Sequence, residues 1–532
     1  MNKKILLFLL IGFTAITRIY FCYDLPFSGD EVGVGILQAT GQAVSYNKTF
    51  DKTNVGKIVS IDEIKRYIDY SDEYSVRDVL LSLRERFSMH PPFYYVVLHY
   101  TIKSFGNDVL VLRSLSIIFS LLSIIVIYQL GKAIFSQSAG LYSALLFAIS
   151  PYCLQYNVMV RPYPLLTLLG LLSTLQIYLL IKNKSFNYSS IYLYLYILIS
   201  VIGLYTMYHF VFIIFFQLVF VVLASPKNRN SIFTNLSVFI LIFIFFIPWI
   251  PSLQQQLSVI NGHDYYFHGK FNLFSFIHQV LNSSFCGFFS SVMDGIIIKS
   301  IKFLLTFILC IFFLVGCRNA LKSKINTLLV ISLVFYLLSH FAADWILKTN
   351  TLAIEKFQFF LIPTFLLFIS SGLSNTSKHF YIKTFFVSLC CLMLIVGSIA
   401  ACKVKNNFDG PQSIYPMQKL ISENSKNSSK RLFVINRMRI REIFTFAHAI
   451  KSPADVIIIP DKKTISELVK MNSIKKYDEI YIVGLFVKEW EKIIFTAKRQ
   501  EFITEILHEY DDIVNREVLL SNRHEITLIN HK

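Results

Sequence analysis

Apolar residues run along most of the chain in blocks of about 18 to 22, separated by short polar connectors, a length that lets a helix cross the ~30 Å hydrocarbon core of a bilayer. Such blocks lie near residues 4–22, 109–131, 138–153, 163–181, 189–206, 209–225, 231–250, 294–316, 325–343, 358–373 and 383–402. They predict about eleven spanning helices.

Three stretches break the pattern: residues 23–108, 251–293 and 403–532. In the first, Ile61 to Phe87 carries apolar positions at helical spacing among charges, which predicts a helix lying on the membrane surface. Phe93 to Phe105 is apolar but too short to span, and reads as an interfacial helix. The last stretch changes period. Arg431 to Asn436, Asp455 to Pro460 and Asp478 to Val483 read as short buried strands. Helical patterns at Ile440 to Ile450, Thr464 to Met471 and Lys488 to Gln500 lie between and after them. Glu517 to Leu520 and Glu525 to Ile529 form a closing hairpin. Without a Gly-rich first turn this small α/β domain reads as accessory, not as a nucleotide binder. The expected architecture is a mostly α, polytopic membrane helix bundle with surface-lying helices in its first outer loop, residues 1–402, followed by an α/β domain, residues 403–532.

Composition agrees: of 532 residues, 54% are hydrophobic and 16% charged, with a mean hydropathy of +0.55, values that exclude a soluble globule. In a soluble protein a net charge of +18 would point to nucleic acid. Here the basic residues occupy alternate short loops, at Lys3/Lys4, Lys132, Lys182/Lys184, Lys227/Arg229, Arg318/Lys322/Lys324 and Lys378/Lys383. The positive-inside rule places those loops and the N-terminus in the cytoplasm, so no nucleic-acid partner is expected. An odd number of spans leaves the C-terminal domain outside the inner (plasma) membrane. The first block lacks a small-x-small cleavage site before Asp24 and reads as a retained anchor.

Candidate chemistry sits on the outer side. Asp30 and Glu31 follow the first span within Ser28-Gly29-Asp30-Glu31. They are either loop charges in water or a carboxylate base that takes a proton from a hydroxyl nucleophile. Arg18, Arg113, Arg161 and Lys356 fall at outer ends of spans, where basic residues are least expected. A single such residue snorkels to the interface. Four of them predict a cationic pocket for a lipid phosphate, which Arg binds bidentately and Lys as a point charge. Base and cations together fit transfer of a sugar from a polyprenyl phosphate, in which a hydroxyl attacks the anomeric carbon and the phosphate leaves. The chain has no phosphate-cradling Gly-rich loop. His263, Asp264, His268 and His278 are residue types that suit zinc but match no compact zinc spacing, and read first as part of a mobile lid; no cofactor is expected, with a divalent metal the unsupported alternative. Cys22, Cys153, Cys286 and Cys402 lie near the outer face, but no spacing argues for pairing.

The order of several motifs resembles a known group. Arg18, Asp30-Glu31, His90-Pro91-Pro92-Phe93-Tyr94-Tyr95, Phe105-Gly106, Leu112-Arg113-Ser114, Val160-Arg161-Pro162-Tyr163, Tyr208-His209-Phe210 and Lys356-Phe357 ahead of Pro363 are similar to the polyprenyl-phosphate-dependent glycosyltransferases of the C type. That group includes protein O-mannosyltransferases and lipid A aminoarabinose transferases. The resemblance covers residues 1 to about 375 and implies roles. Asp30 would be the general base and Glu31 its partner or an acceptor-binding group. Arg161 and Lys356, with Arg18 and Arg113, would hold the carrier phosphate, although relatives often show Arg at the position of Lys356. His90, Pro91, Pro92, Tyr163 and His209 would shape the site. His90 also reads as a cap before a rigid Pro-Pro corner, and Tyr163 as an interfacial anchor.

The expected partners are a polyprenyl-phosphate-linked sugar, membrane lipids, and a glycolipid, polysaccharide or protein acceptor. Two other readings share the spans. A polysaccharide ligase or polymerase would need Arg-rich outer loops, and a lipid-linked sugar flippase would place ionisable residues near mid-membrane and often shows internal repeats.

Overall fold

In a computed structural model, the described residues are 3–25, 27–43, 50, 56–85, 89–226, 228–261, 296–347, 351, 355–357, 359–375, 388, 430–436, 443, 444, 447, 450, 453–459, 477, 479–483, 513–521 and 524–531. They fall into two compact units that do not follow a single cut in the chain. One comprises Met1–Asp24, Leu83–Leu98 and Asp108–Val404; the other comprises Leu25–Ser82, His99–Asn107 and Lys405–Lys532.

The first unit is a helix bundle. Its apolar helices are α1 (Lys3–Asp24), α6 (Val109–Ile134), α7 (Gln137–Ile149), α9 (Tyr163–Lys182), α10 (Ile191–Thr206), α11 (Phe210–Ala224), α12 (Arg229–Ile244), α14 (Ile296–Ala320), α15 (Lys324–Leu347) and α16 (Leu361–Asn375). Ile5–Tyr23, Val109–Ile134, Tyr163–Lys182, Ser231–Ser258 and Lys324–Leu347 are long and apolar enough to cross a bilayer. Each follows an apolar block of the sequence. Apart from residue 388, the eleventh block, 383–402, lies outside the described residues, as do His263, Asp264, His268 and His278.

Two blocks end differently from expectation. The block at 138–153 breaks at Ser150, whose backbone is extended (ψ 126°), because Pro151 starts the separate helix α8 (Pro151–Tyr156) and disfavours helical geometry in the residue before it. The region after Trp249, expected as a loop, opens with helix α13 (Ile250–Asn261).

Helix packing here uses small residues and buried amides, the usual substitutes for a hydrophobic drive inside a bilayer. A Cβ on Gly316 of α14 would run into the Phe368 carbonyl of α16, and one on Gly372 into the Phe312 carbonyl. Gln217 of α11 accepts from Tyr196 Oη at 2.9 Å and donates to Ser173 Oγ at 2.8 Å, joining α9, α10 and α11. Asn326 of α15 accepts from Tyr178 Oη (2.8 Å) and donates to the Ile134 carbonyl (2.9 Å).

Among the described residues, the second unit holds a six-stranded mixed sheet. Five predicted strands appear, as β2 (Arg431–Asn436), β3 (Asp455–Ile459), β4 (Glu479–Val483) and the hairpin of β5 (Ile513–Ser521) with β6 (His524–His531). The sixth strand, β1 (Ile58–Ser60), comes from the first loop and pairs antiparallel with β3, giving the order β1-β3-β2-β4-β6-β5. Strand β2 is parallel to both neighbours, and β4 is antiparallel to β6. Aromatic contacts add to this union, since Phe50 and Tyr67 pack on Phe444 at 5.6 and 6.0 Å between ring centroids. Ile443, Phe444 and Ala447 are helical; most of the three helical patterns expected in this region lies outside the described residues.

The single surface helix expected from Ile61 to Phe87 is two, α3 (Ile61–Lys65) and α4 (Val76–Glu85). Local capping explains the break. Ser75 donates its backbone N–H and its hydroxyl to Asp78 Oδ2, both at 2.8 Å, which restarts the helix and holds the Asp78 carboxyl below its usual range. The apolar faces of these helices point into protein: Ile61 and Ile64 of α3 and Val79 of α4 are buried, as is Ile68 in the turn after α3. Helix α5 (Phe93–Phe105) has the bounds expected of it, and His99 within it donates from Nδ1 to the Ala39 carbonyl at 2.9 Å.

Candidate functional site

In the second unit, the stretch around Asp30 is helical, not the loop expected. Ser28-Gly29-Asp30-Glu31 forms a capping box. The Glu31 backbone N–H donates to Ser28 Oγ (3.1 Å), and Ser28 N–H donates to Glu31 Oε2 (2.9 Å). A π-helical segment, Glu31–Ile36, follows and runs into α2 (Leu37–Ala39); Gly41 then ends the helix at φ +79°. Glu31 is 2% exposed, whereas Asp30 is half-buried. The adjacent carboxylates are therefore not equivalent: Glu31 holds its own helix start. The S-x-x-E spacing was visible in the chain, but the apolar run that would have marked a helix is short.

Within the first unit, Arg161 sits just ahead of α9, with Pro162 at the N-cap. It is 2% exposed. Its Nη2 lies 2.6 Å from His90 Nε2 and 3.3 Å from Tyr163 Oη, and its guanidinium carbon lies 5.4 Å from the Tyr163 ring centroid. A guanidinium only donates, so His90 Nε2 accepts and the ring is neutral, with its proton on Nδ1. His90 is thus a partner of Arg161. Tyr163, expected at the interface, is buried and packs against Arg161 and Tyr156, the latter at 5.6 Å between ring centroids.

Three residues without an expected role support this contact. Gln256 of α13 donates from Nε2 to the Leu83 carbonyl (2.7 Å) and to the His90 carbonyl (3.3 Å). Its Oε1 accepts from Tyr208 Oη (2.6 Å), whose oxygen in turn accepts from Trp249 Nε1 (2.9 Å). Burial pushes the Tyr208 phenol up, against the opposing effect of the Trp249 bond, so it stays a neutral donor. No charge pattern marked Gln256, an amide in a stretch read as a loop.

A second cluster gathers around Phe357. The His209 ring stacks on it at 4.5 Å and 14°, and Lys356 Nζ lies 5.9 Å from its centroid. His340 and Asp344, one turn apart on α15, lie beside this group, with the His340 ring 5.4 Å from that of His209. Thr351 Oγ1 donates to Asp344 Oδ1 (2.7 Å) and so accepts from His340 Nε2 (2.8 Å). The i, i+4 pair at the end of an apolar block was the available signal.

The remaining two cations serve helix ends. Arg18 Nη2 donates to the Ala148 carbonyl (2.9 Å) at the close of α7, and Arg113 Nη1 donates to the Cys22 carbonyl (2.7 Å) at the close of α1. Those carbonyls lack a partner within their own helices. Cys22 and Cys153 are unbridged thiols, and no metal-binding group of His, Cys, Asp and Glu occurs among the described residues.

A family model described as dolichyl-phosphate-mannose-protein mannosyltransferase matches residues 89–253, the span holding His90, Arg161 and Tyr208. The structure of ArnT from Cupriavidus metallidurans in the apo state aligns with a TM-score of 0.57 at 9% identity, covering 100% of this chain and 98% of that one. ArnT bound to undecaprenyl phosphate gives 0.53 at 9% identity, covering 98% and 97%. The oligosaccharyltransferase AglB from Archaeoglobus fulgidus, in complex with an inhibitory peptide and a dolichol-phosphate, aligns at 0.47 with 13% identity, covering 91% and 69%. No curated protein matches the chain in sequence. The chain has the multi-pass fold of the glycosyltransferases of the C type and is similar to the protein O-mannosyltransferases and to ArnT.

Proposed function

We propose that this protein is an integral membrane glycosyltransferase that moves a single sugar from a polyprenyl-phosphate carrier to an acceptor hydroxyl on the outer face of the plasma membrane. The observation that carries the reading is Arg161: a buried guanidinium, oriented by His90 and Tyr163, at the positive end of an apolar helix. An anion of the phosphate class suits such a position. ArnT, of like fold, binds undecaprenyl phosphate, and the matched family is described by a dolichyl-phosphate donor.

Asp30 takes the proton of the acceptor hydroxyl while its oxygen bonds to the anomeric carbon; the bond from that carbon to the carrier phosphate breaks, and its electron pair leaves with the phosphate. Arg161 and Lys356 offset the charge that develops on the leaving group. Arg18 and Arg113 hold helix ends, and Glu31 holds the helix that carries Asp30. The N-terminus lies in the cytoplasm, and the tail from residue 403 is an extracytoplasmic accessory domain that binds the acceptor or closes the site.

Asp30→Asn tests the reading. It keeps size and most hydrogen bonding but cannot take the proton, so transfer should fall by about 10² to 10⁴ with donor-lipid binding intact. Near-normal turnover would remove the base and the mechanism with it.

A further inference from the structure

We infer that Gln256 is a positioning residue for the donor phosphate: it acts through His90 to set the direction of the Arg161 guanidinium. The inference rests on the role proposed for Arg161 and extends it to a side chain that touches neither sugar nor phosphate.

Gln256 is 1% exposed and uses both ends of its amide. Its nitrogen joins two backbone carbonyls, Leu83 in the last turn of α4 and His90 ahead of the Pro91-Pro92 corner. Leu83 O is one of the carbonyls a helix leaves without an intrahelical partner, so the same amide closes that helix and fixes the start of the next segment. Its oxygen is held by Tyr208, and Tyr208 by Trp249, and the amide cannot turn over without setting its oxygen against the Leu83 and His90 carbonyls. Beside it, Arg84 Nε donates to Gln255 Oε1 at 2.5 Å.

Fixing the His90 backbone matters because of what its ring does. An imidazole accepts in one direction only, in the ring plane at Nε2, and Arg161 Nη2 meets that lone pair at 2.6 Å. Pro91 and Pro92 restrict the chain on the far side of His90, and the Gln256 bond to its carbonyl restrains its own backbone. A guanidinium recognises phosphate by a planar fork, so its orientation, and not only its charge, decides affinity. Release of His90 therefore changes donor binding.

The test uses the full-length protein in nanodiscs, with undecaprenyl phosphate as probe and its Kd as readout, beside thermal unfolding. Gln256→Leu keeps the volume and removes all three bonds; the expectation is a Kd raised about tenfold, as for loss of a hydrogen bond to a charged group's support. Tyr208→Phe, a milder change, should raise Kd about threefold with the unfolding midpoint held. The decisive comparison is the double variant with His90→Ala, which should bind no worse than His90→Ala alone, because both changes act on one contact. Unchanged Kd in both Gln256→Leu and Tyr208→Phe, or effects that simply add to His90→Ala, overturns the positioning role. Should Gln256→Leu fail to fold, Tyr208→Phe and its double variant decide by the same criteria. Arg161→Ala separates the two layers: if it weakens binding while the Gln256 and Tyr208 variants do not, only this inference fails. If Arg161→Ala binds normally, the phosphate role of Arg161 fails and takes this inference with it.

Discussion

His90 and Arg161, 71 positions apart in the chain, meet at 2.6 Å through one ring nitrogen and one guanidinium nitrogen. A neutral imidazole there orients the guanidinium without cancelling its charge, as a carboxylate would.

Substitution at Arg161 should separate charge from geometry. Arg161→Ala is expected to weaken binding of undecaprenyl phosphate by about 10- to 100-fold, the worth of hydrogen bonds to a charged group. Arg161→Lys should recover only part of that, because the planar fork is lost. Equal affinities for Arg161→Lys and the unaltered protein would show that a point charge suffices.

Glu31 and Asp30 should respond differently. Glu31→Ala removes one half of the capping box and should cost about 1 kcal/mol of stability. Glu31→Gln should lie close to the unaltered protein, since an amide oxygen serves the same cap. Thermal unfolding and sugar transfer, measured together, check this. A Glu31→Gln variant that is stable yet inactive would place Glu31 in the chemistry.

Close packing between α14 and α16 leaves no room for a side chain at Gly316 or Gly372. Gly316→Val should destabilise the bundle by about 1 to 3 kcal/mol through forced separation of the helices. Gly12, with open space around it, is the control. Unfolding in detergent should shift for Gly316→Val and hold for Gly12→Ala.

Removal of the tail after Val404 should unfold the first loop. Strand β1 would lose its partner β3, and Phe50 and Tyr67 would lose Phe444. Trypsin should then cut at Lys57, Lys65 or Arg66 in the shortened protein faster than in the whole chain. Equal protection in both would mean that the loop folds without the tail.

The basic loops predict an orientation that can be tested. A periplasmic reporter enzyme fused after Asn406 should be active, because the tail is expected outside the cytoplasm. Activity of a cytoplasmic reporter at that point would reverse the orientation, and with it the face on which transfer occurs.

The chain by itself determined the elements whose signal is local. A block of apolar residues long enough for a bilayer is self-sufficient as a pattern, so Val109–Ile134 and Tyr163–Lys182 follow their blocks to within a few residues. The buried strands at Arg431–Asn436 and Asp455–Ile459 were legible for the same reason. The chain also marked Arg161, because a cation at the end of an apolar block is costly without a use. Only the tertiary structure decided what such residues touch. That Arg18 and Arg113 close helices, that Ile58–Ser60 completes a sheet begun some 370 residues later, and that Gln256 holds His90 depend on contacts between segments distant in sequence. Hydrogen bonds of a neutral amide leave no trace in charge or periodicity, so nothing short of the folded chain could have singled out Gln256.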